Sequence, residues 1–439
     1  MAKPVAIDLF CGCGGLSKGF EKAGFEVRLG VDCDDGFLKT FKRNHQNTEI
    51  LKYDISGPVP DEVKRVDPDI VIGSPPCQGF SDARGERLLG DERNRLVFDF
   101  IRWASEIKPK VVLMENVAGF LTISKAFLRE VESRYRSAGY DIDMRLLCSA
   151  DYGVPQLRNR VFCFAVRDNG RIMLEPRITH SNLLTLFGSM AKFTTVGNAL
   201  HGLPEPTKDG VVEVHGKSKD TNPSYEEFVF DSDSTNNHVA KFPNGEELEI
   251  IKRIPEGKMY RSNRFGKKYM GVWELFPEKF TAEEAQVFEF IGRYGGWNGL
   301  KLGVTEVGFL PKESIISHTN ASNKDVEKLV KRGWLRTREF GDKVGYALNT
   351  KSGVRPMYMR LNRDDVANTI VTHDFSPRQK LHPTENRGIS LREGARIQSF
   401  PDSFVFEGGF SEVAKQVGNA VPPLMATKVA EFILSTGFL

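Results

Sequence analysis

The sequence has few cysteines, no long apolar run and little net charge, and each of these absences excludes a class of protein. Its six cysteines among 439 residues lie in the first two fifths of the chain without a repeated pair spacing. Neither a disulfide framework nor a zinc site is therefore expected, and no other metal site is predicted. No apolar run reaches the roughly 18 residues that span a bilayer, and the start MAKPVAIDLF lacks the pattern of a secretory signal. A cytoplasmic protein without membrane contact is expected.

Charge is nearly balanced, since 61 Lys and Arg residues stand against 58 Asp and Glu residues and leave +3. This balance does not itself predict a polyanionic partner, so any nucleic-acid surface must be local. Residues 252–268 carry seven Lys or Arg residues and one Glu. A stretch that contacts a nucleic-acid backbone and a solvated loop both agree with this local charge.

The length and the pattern of apolar residues predict at least two domains. Residues 5–166 alternate short apolar runs with amphipathic stretches, which is typical of a parallel sheet covered by helices. The runs are VAIDLF (5–10), EVRLGV (26–31), DIVIG (69–73), KVVLME (110–115) and RVFCFAV (160–166). A doubly wound α/β domain is predicted here. The alternation stops after about residue 178, where a second domain is expected to begin.

Residues 283–350 have a pattern of their own inside this second region. Helix-like stretches, AEEAQVFEFI, PKESIISHT and NKDVEKLVKRGWL, precede two strand-like runs, LRTREF and VGYALN, joined by GDK. Helices followed by a basic hairpin resemble a winged helix-turn-helix, which would contact DNA. Small modules of this kind also serve as protein-interaction or purely structural inserts.

A glycine-rich turn follows the first strand-like run. Gly12, Gly14 and Gly15 would let the backbone approach a nucleotide-like ligand, and Asp32 ends the next strand, where an acid can bind ribose hydroxyls. The spacing differs from G-x-G-x-x-G, which argues against a nicotinamide cofactor. A tight turn that uses glycine for steric reasons alone is the alternative.

The segment GSPPCQGFS, residues 73–81, directly follows the strand DIVIG. A Pro-Pro-Cys turn at the carboxyl end of a parallel strand holds a thiol where open α/β sheets bind their ligands. Cys77 is therefore a candidate nucleophile, with polar Gln78 and Ser81 beside it. A small buried apolar cysteine is the alternative.

Two further pairs of polar residues adjoin strands of this domain. Glu115 and Asn116 end the strand KVVLM, where a carboxyl could serve as an acid or hydrogen-bond donor; helix capping by Asn116 is the alternative. Arg158 and Arg160 stand two apart before a strand, so they would project to one face and suit an anion or a carbonyl. Surface arginines without a role are the alternative.

In this order, the segments resemble the DNA (cytosine-5) methyltransferase family along nearly the whole chain. DLFCGCGG, the Pro-Pro-Cys-Gln loop, Glu-Asn-Val and Gln-x-Arg-x-Arg match four of its motifs. RPMYMRLNRDDVANTIVT, HPTENRGISLREGARIQSFPDSF and KQVGNAVPP match its closing motifs. Residues 180–350 lie outside these signatures, where the family keeps its variable target-recognition segment.

The resemblance implies a Rossmann-like methyltransferase fold with a mixed sheet, and a smaller target-recognition domain. The catalytic domain would comprise residues 1–178 and 411–439, and the recognition domain 179–410, including the winged-helix-like insert. S-adenosylmethionine is the implied cofactor. Its implied binding residues are Phe10, Gly12, Gly14, Gly15, Asp32, Asp54, Pro76 and Asn419.

The resemblance also implies the reaction and its partners. Cys77 would attack C6 of a flipped-out cytosine in double-stranded DNA, Glu115 would stabilise the ring, and Arg158 and Arg160 would orient the base and the catalytic loop. A restriction-modification role, a cognate restriction endonuclease as partner, a monomer and association with the nucleoid are expected. A tRNA methyltransferase and an inactive DNA-binding homologue are the alternatives. Both Cys77 and Glu115 are present, which argues against inactivity.

Overall fold

The structure, a computed structural model, divides the chain into two compact units. It describes residues 2–76, 92–167, 175–182, 190–207, 210–213, 223–260, 269–270, 272–294, 309–340, 343–348 and 358–439. The first unit comprises Met1–Ala240, Arg363–His373 and Ser390–Leu439, and the second comprises Lys241–Asn362 and Asp374–Ile389. Along the described part of the chain, no helix combines the length and the apolar character needed to span a membrane.

A seven-stranded mixed sheet forms the centre of the first unit. Its strands are β1 (Val5–Leu9), β2 (Glu26–Asp32), β3 (Glu49–Lys52), β4 (Ile70–Gly73), β5 (Val111–Val117), β6 (Tyr140–Cys148) and β8 (Asn159–Arg167). The two-residue strand β7 (Gln156–Leu157) precedes β8 along the chain and is not part of this sheet. The spatial order within the sheet is β3-β2-β1-β4-β5-β8-β6. β1 to β5 pair in parallel, whereas β8 is antiparallel to both β5 and β6. The predicted doubly wound sheet is confirmed.

Helices alternate with the strands and cover the sheet. They are α1 (Gly15–Ala23), α2 (Asp35–Asn44), α3 (Asp61–Lys64), α4 (Glu92–Ile107) and α5 (Lys125–Ser137). α2 begins where the Asp34 carboxylate accepts the backbone N–H groups of Gly36 and Phe37, which satisfies two otherwise unpaired donors. All residues of β1 and β4 are buried, as expected for parallel strands with both faces covered. This explains their nearly continuous apolar sequence.

The strand order creates a crevice at one edge of the sheet. The chain passes from β1 to β2 on one side, while β4 pairs with β1 on the other side. Loops that leave the carboxyl ends of two neighbouring strands in opposite directions open a gap between them, and open α/β sheets bind ligands there. The loops after β1 and β4 are those that carry the glycine-rich turn and the Pro-Pro-Cys segment.

Short elements continue the first unit to its boundary with the second. They are α6 (Val196–Leu200), β9 (Val212–Glu213), α7 (Pro223–Val229) and β10 (Ser234–Thr235). α6 begins with a capping box, in which Thr195 and Asn198 each bind the other's backbone N–H.

The second unit combines short strands with a helical module. Its elements are α8 (Gly245–Ile251), β11 (Met259–Tyr260), β12 (Tyr269–Met270), α9 (Val272–Leu275), α10 (Ala282–Tyr294), β13 (Leu310–Pro311), α11 (Lys312–Ser317), α12 (Asn323–Lys331), β14 (Leu335–Phe340), β15 (Lys343–Leu348), β16 (Met359–Arg360) and β18 (Lys380–Leu381). The described strands β12, β11, β16 and β18 form one sheet, and β13, β15 and β14 form another. The basic stretch 252–268 is described only as far as residue 260.

The end of the chain returns to the first unit. β17 (Ala367–Asn368) pairs with β7, and α13 (Leu391–Ile397), α14 (Phe410–Asn419) and α15 (Pro423–Ser435) follow. α15 packs on α1 so closely that a Cβ on Gly19 would lie 2.4 Å from the Cβ of Ala426 and 2.5 Å from the carbonyl oxygen of Pro423. The first and last described helices are therefore in direct contact.

The division into units differs from the domain bounds expected from the sequence. Residues 179–240, 363–373 and 390–410 were expected in the second domain, yet they belong to the first compact unit. A buried ion pair helps to explain this: Arg396 donates two hydrogen bonds to Asp402, at 2.8 and 2.7 Å. Arg396 also donates to the carbonyl oxygens of Ala199 and His201, which joins α13 to α6. Which segments recognise DNA remains a prediction.

The packing of α1 on α15 predicts that Gly19→Ala lowers the thermal midpoint of the first unit, because the added methyl overpacks a backbone carbonyl at a cost of about 1–3 kcal/mol. Differential scanning fluorimetry would measure it. Gly119→Ala is the matched control, since the nearest atom to a Cβ there is 4.0 Å away. A Gly19→Ala protein that melts with the wild type would contradict this contact.

Candidate active site

A cavity of about 920 Å³ lies in the first unit at the carboxyl ends of the parallel strands. Residues from the loops after β1, β2, β3 and β4 line it, together with the end of β5, residues of α4 and α14, and Arg158 and Arg160 on either side of the start of β8. It collects most of the site residues predicted from the sequence, namely Phe10, Gly12, Gly15, Asp32, Asp54, Pro76, Glu115, Arg158, Arg160 and Asn419. Cys77 lies outside the described residues, so its position stays a prediction.

The loop after β1 has a backbone that only certain residues adopt easily. Phe10, Gly12 and Gly14 have φ angles of 59°, 53° and 97°. A bulky residue in this region is strained, and such strain is common at functional sites. A Cβ on Gly12 would meet no atom of the described residues within 4 Å, so among these residues the glycine leaves open space on the cavity wall. Gly12 and Phe10 therefore suit close approach by a ligand.

Gly14 has a different position from the one expected. It is at the start of α1, and a Cβ there would lie 2.2 Å from Nε2 of the buried His45. Gly14 therefore supports the loop by packing on α2's end, whereas Gly12 and Gly15 line the cavity. A Cβ on Gly15 would lie 2.5 Å from the carbonyl oxygen of Val421, so the lack of a side chain at Gly15 lets the C-terminal segment pack directly against this loop.

Asp32 connects the glycine-rich turn to the end of β2. Its Oδ2 accepts the backbone N–H of Gly12 and its Oδ1 accepts that of Asp34, both at 2.9 Å. Burial raises the pKa of the Asp32 carboxyl above its ordinary value, and the two backbone N–H donors oppose this effect. A carboxylate has about four acceptor sites, so two remain for hydroxyl groups of a ligand.

A surface ion pair joins two walls of the cavity. Lys415 Nζ on α14 lies 3.0 Å from Asp34 Oδ2 and 4.7 Å from the ring centroid of Phe37. All three side chains line the cavity. No local sequence pattern predicts these residues as parts of one site, because they are neighbours only after α14 has packed beside α2.

Asn116 of β5 holds the Pro-Pro segment that follows β4. The Asn116 side chain donates to the carbonyl oxygen of Pro75 at 3.3 Å, and its own oxygen accepts the N–H of Val117. The alternative role as a helix cap is wrong, since Asn116 lies inside β5. Asn116 instead anchors the backbone two residues before Cys77.

Glu115 and Arg160 form a buried pair. Arg160 Nε lies 2.9 Å from Glu115 Oε1, and their side chains are 13% and 8% exposed. The two residues are diagonal neighbours on the antiparallel strands β5 and β8, where Val117 pairs with Arg160 and Glu115 with Phe162. The arginine thus orients one carboxylate oxygen of Glu115, and both residues line the cavity.

Arg158 and Arg160 do not have equivalent environments. Arg158 is 1% exposed and donates to the backbone carbonyl oxygens of Ile370, Gly418 and Asn419, at 3.1 to 3.4 Å. Burial lowers the pKa of its guanidinium, and hydrogen bonds to carbonyls rather than to a carboxylate hold it. Both arginines line the cavity, as expected, but Arg160 pairs with a carboxylate whereas Arg158 binds backbone carbonyls.

A second buried network supports the same segment. Gln156 donates to Oε1 of Gln398 at 2.7 Å and accepts the N–H of Ile370 at 2.7 Å, and Gln398 donates to the carbonyl oxygen of Val417. Both glutamines are fully buried. The Gln-x-Arg pair therefore binds the backbone of two closing segments.

The described cysteines lack the properties of a nucleophile. Burial raises the thiol pKa of Cys11, of Cys13 to about 12, and of Cys33, Cys148 and Cys163. The thiolate is the reactive form, so a raised pKa makes each a poor nucleophile.

Comparison with known proteins agrees with this geometry. The family model for C-5 cytosine-specific DNA methylase matches residues 5–435. The chain belongs to this family. It is 30% identical to the Type II methyltransferase M.AgeI of Thalassovita gelatinovora over 97% of this chain and 98% of that protein. It is also 30% identical to the Type II methyltransferase M.XorII of Xanthomonas oryzae, over 99% and 85% of the two chains.

A solved structure shares the fold of this methylase. A prophage-encoded E. coli protein, described as a DNA modification methyltransferase, superposes with a TM-score of 0.59 at 23% identity and covers 99% of both chains. The predicted Rossmann-like methyltransferase fold, the enzyme class and DNA cytosine-5 methylation are confirmed.

One buried acid of the methylase was missed. Asp8 lies in β1, is 1% exposed, and accepts a hydrogen bond from the Ser17 hydroxyl at 2.6 Å, while its Oδ1 has no partner. Burial raises the pKa of Asp8 to about 7, and the nearby Asp32 adds to the effect. An acid inside the apolar run VAIDLF is the signal that could have identified it.

Asp8 predicts a particular pH dependence of stability. Between about pH 4 and pH 7 the folded state holds a proton that the unfolded state has lost, so rising pH destabilises the fold by up to about 4 kcal/mol. Asp8→Asn removes this pH-dependent contribution to the free energy of unfolding. The difference in thermal midpoint, variant minus wild type, should therefore rise over that interval and level off above pH 7.

Scanning fluorimetry across this pH range would test the prediction, with Asp61→Asn, an exposed carboxyl, as control. A difference that stays constant with pH for Asp8→Asn would show that Asp8 is ionised throughout.

Proposed function

We propose that this methylase transfers a methyl group from S-adenosylmethionine to C5 of a flipped-out cytosine in a specific duplex DNA sequence. It would act as the modification enzyme of a restriction-modification system, as the names of its Type II relatives suggest. The observation that carries the proposal is one cavity that holds both Asp32, at the glycine-rich turn, and the Glu115–Arg160 pair, beside the Pro75–Pro76 segment.

The cavity residues fit the proposed cofactor. Gly12 leaves open space on the wall, and Asp32 keeps acceptor sites free for ribose hydroxyls. Asp54 lines the wall near Arg95, while Phe10, Pro76 and Asn419 complete it. When bound, S-adenosylmethionine supplies an electrophilic methyl group on a positively charged sulfur. The cavity's carboxylates suit that positive charge.

Cys77 is the proposed nucleophile. Its thiolate adds to C6 of cytosine, which forms the C–S bond and moves an electron pair toward C5 and the ring. C5 would then bond to the methyl carbon as the methyl–sulfur bond breaks, and the electron pair of that bond would go to the sulfonium, which leaves as the neutral thioether S-adenosylhomocysteine. Loss of the C5 proton to a base returns the electron pair, breaks the C–S bond and releases the thiolate. The Asn116–Pro75 hydrogen bond supports this proposal, because it holds the backbone from which Cys77 extends.

Glu115 and Arg160 have a complementary proposed role. The Glu115 carboxyl, protonated or sharing a proton with the ring, would donate a hydrogen bond to N3 and accept one from the exocyclic amine of the base, where negative charge develops as Cys77 attacks. Arg160 orients that carboxyl from one side at 2.9 Å and keeps the pair in place before the base arrives. Arg158 is better described as a positioning residue, because its hydrogen bonds reach only the protein backbone.

The remaining proposals concern partners and location. A stacked cytosine is not accessible to Cys77, so the target base must leave the duplex. We propose a monomer that acts in the cytoplasm on the nucleoid, with a cognate restriction endonuclease as its functional counterpart. Duplex DNA is favoured over tRNA, because the stretch 180–350 between Arg160 and the closing motifs is about 170 residues long.

The nucleophile can be identified by trapping. With random-sequence duplex DNA that contains 5-fluorocytosine, elimination is blocked because fluorine cannot leave as a cation. Incubation with the methylase and S-adenosylmethionine should give a covalent adduct that peptide mass spectrometry assigns to Cys77. Cys77→Ser should give no adduct, and Cys33→Ser, the control at a cavity cysteine, should still give one. An adduct on another cysteine would contradict the proposal.

Arg158 and Arg160 should differ in kinetics. Arg160→Met removes the partner of Glu115 and should lower kcat by about a hundredfold or more. Arg158→Met removes a donor from the buried carbonyls of Ile370 and Gly418, at about 1–3 kcal/mol each, so it should lower the thermal midpoint and raise the KM for the cofactor. Arg158→Lys should restore part of the thermal midpoint and part of the low KM for the cofactor. A fall in kcat for Arg158→Met with unchanged KM and midpoint would instead make Arg158 catalytic.

A further inference from the structure

The second unit contains a module whose strand and helix order is that of a winged helix. α10 is followed by β13, then α11 and α12, then the hairpin of β14 and β15, and in the sheet β15 lies between β13 and β14. Both β13 and β14 pair antiparallel with β15. This order places two consecutive helices beside a hairpin, as helix-turn-helix proteins do.

The module has a hydrophobic core of its own. Twelve buried side chains from all its helices and strands form the cluster: Val287, Phe288, Phe290, Ile291, Leu310, Ile315, Ala321, Val326, Leu329, Leu335, Tyr346 and Leu348. Phe280 and Trp334 pack edge to face against Phe288 and beside this cluster. Such a core holds α12 rigidly, so the surface that α12 presents has a fixed geometry.

α12 buries one face and exposes the other. Val326 and Leu329 point into the core and are fully buried. Lys324, Lys328 and Lys331 recur at spacings of four and three residues, which places them on one face of the helix, and all three are exposed. The exposed face of α12 therefore carries a stripe of three lysines, with the exposed Glu327 beside it.

Two acidic residues of α12 have ion-pair partners close to this stripe. Glu327 lies 2.8 Å from Lys312 of α11. Asp325 accepts hydrogen bonds from the hydroxyl and backbone N–H of Ser322 at the helix start and lies 4.0 Å from Nζ of Lys328, whose side chain stays 63% exposed. At the other end, Arg332 pairs with Glu284 of α10 at 3.0 Å. On β14, Arg336 and Arg338 are both exposed and continue the positive charge toward the hairpin.

The same surface has little that would bind an apolar partner. Among the described side chains of residues 309–340 and 343–348, Val344 is the large apolar one that is exposed. Protein interfaces have apolar or aromatic centres and few charged residues there. A lysine stripe without an apolar centre matches a polyanion instead.

We infer that the Lys324, Lys328 and Lys331 face of α12 binds the phosphate backbone of double-stranded DNA, as a contact additional to those made around the flipped base. An α-helix fits the major groove and three lysines can each neutralise a phosphate along it. This contact does not depend on the chemistry assigned to Cys77. It adds affinity and orientation rather than sequence readout.

Salt-dependent binding of the full-length enzyme tests the inference. The probe is a fluorescein-labelled duplex of random sequence and about 30 base pairs, roughly three helical turns. Each phosphate contact adds about 0.9 to the slope of log K against log salt, so Lys324→Ala, Lys328→Ala and Lys331→Ala combined should make the slope shallower by about 2 to 3. The matched control replaces the same three lysines with arginine, and its slope should equal that of the wild type.

Hydrogen exchange gives an independent measurement. Saturating DNA should slow the exchange of amides in Asn323–Lys331 in the wild type and not in the alanine variant. A salt slope that is unchanged in the alanine variant would overturn the inference. So would a slope that becomes equally shallow in the arginine variant, or α12 amides whose exchange DNA does not slow.

Methylation of the same duplex at saturating concentration separates this inference from the proposed function. The alanine variant should keep the wild-type kcat, since the three lysines lie outside the cavity residues. A wild type that transfers no methyl group would refute the proposed function and leave the salt-slope result as it stands.

Discussion

The cavity of this methylase is built from both ends of the chain, and the buried guanidinium of Arg158 is the group that holds them together. It binds carbonyl oxygens of Ile370, Gly418 and Asn419, segments more than 200 residues away. Gln156 extends the same connection through Gln398 to Val417. Without these donors, buried carbonyls would lose their partners and α14, which carries Asn419 and Lys415, would have no fixed position.

This constraint explains why glycines recur where they do. Gly15 and Gly19 lie on the side of α1 that meets the returning C-terminal segment, and neither has room for a Cβ. The opposite side of the glycine-rich turn faces the cavity, where Gly12 leaves space for a ligand. One short segment therefore serves packing and binding at once, and the strained φ of Phe10 is tolerated because both sides hold it.

Charge is distributed by function across the two units. The cavity of the first unit contains several carboxylates, of which Asp32 is partly desolvated and the neighbouring Asp8 is raised in pKa to about 7. The winged-helix-like module of the second unit carries its exposed lysines on one helical face. The net charge of +3 does not show this arrangement, because it sums all charged residues of the chain. Composition is therefore a poor guide to nucleic-acid binding in a chain with two units.

The sequence by itself determined the doubly wound sheet, the crevice loops and the family, because strand periodicity and the order of motifs are local properties. It also identified ten residues that line one cavity. Only the tertiary structure showed the different partners of Arg158 and Arg160, the packing of Gly14 against His45, and Asn116 as the anchor of Pro75. It likewise placed residues 179–240 and 390–410 in the first unit. These outcomes depend on which distant backbone carbonyl or side chain each group meets, and no local pattern encodes that meeting.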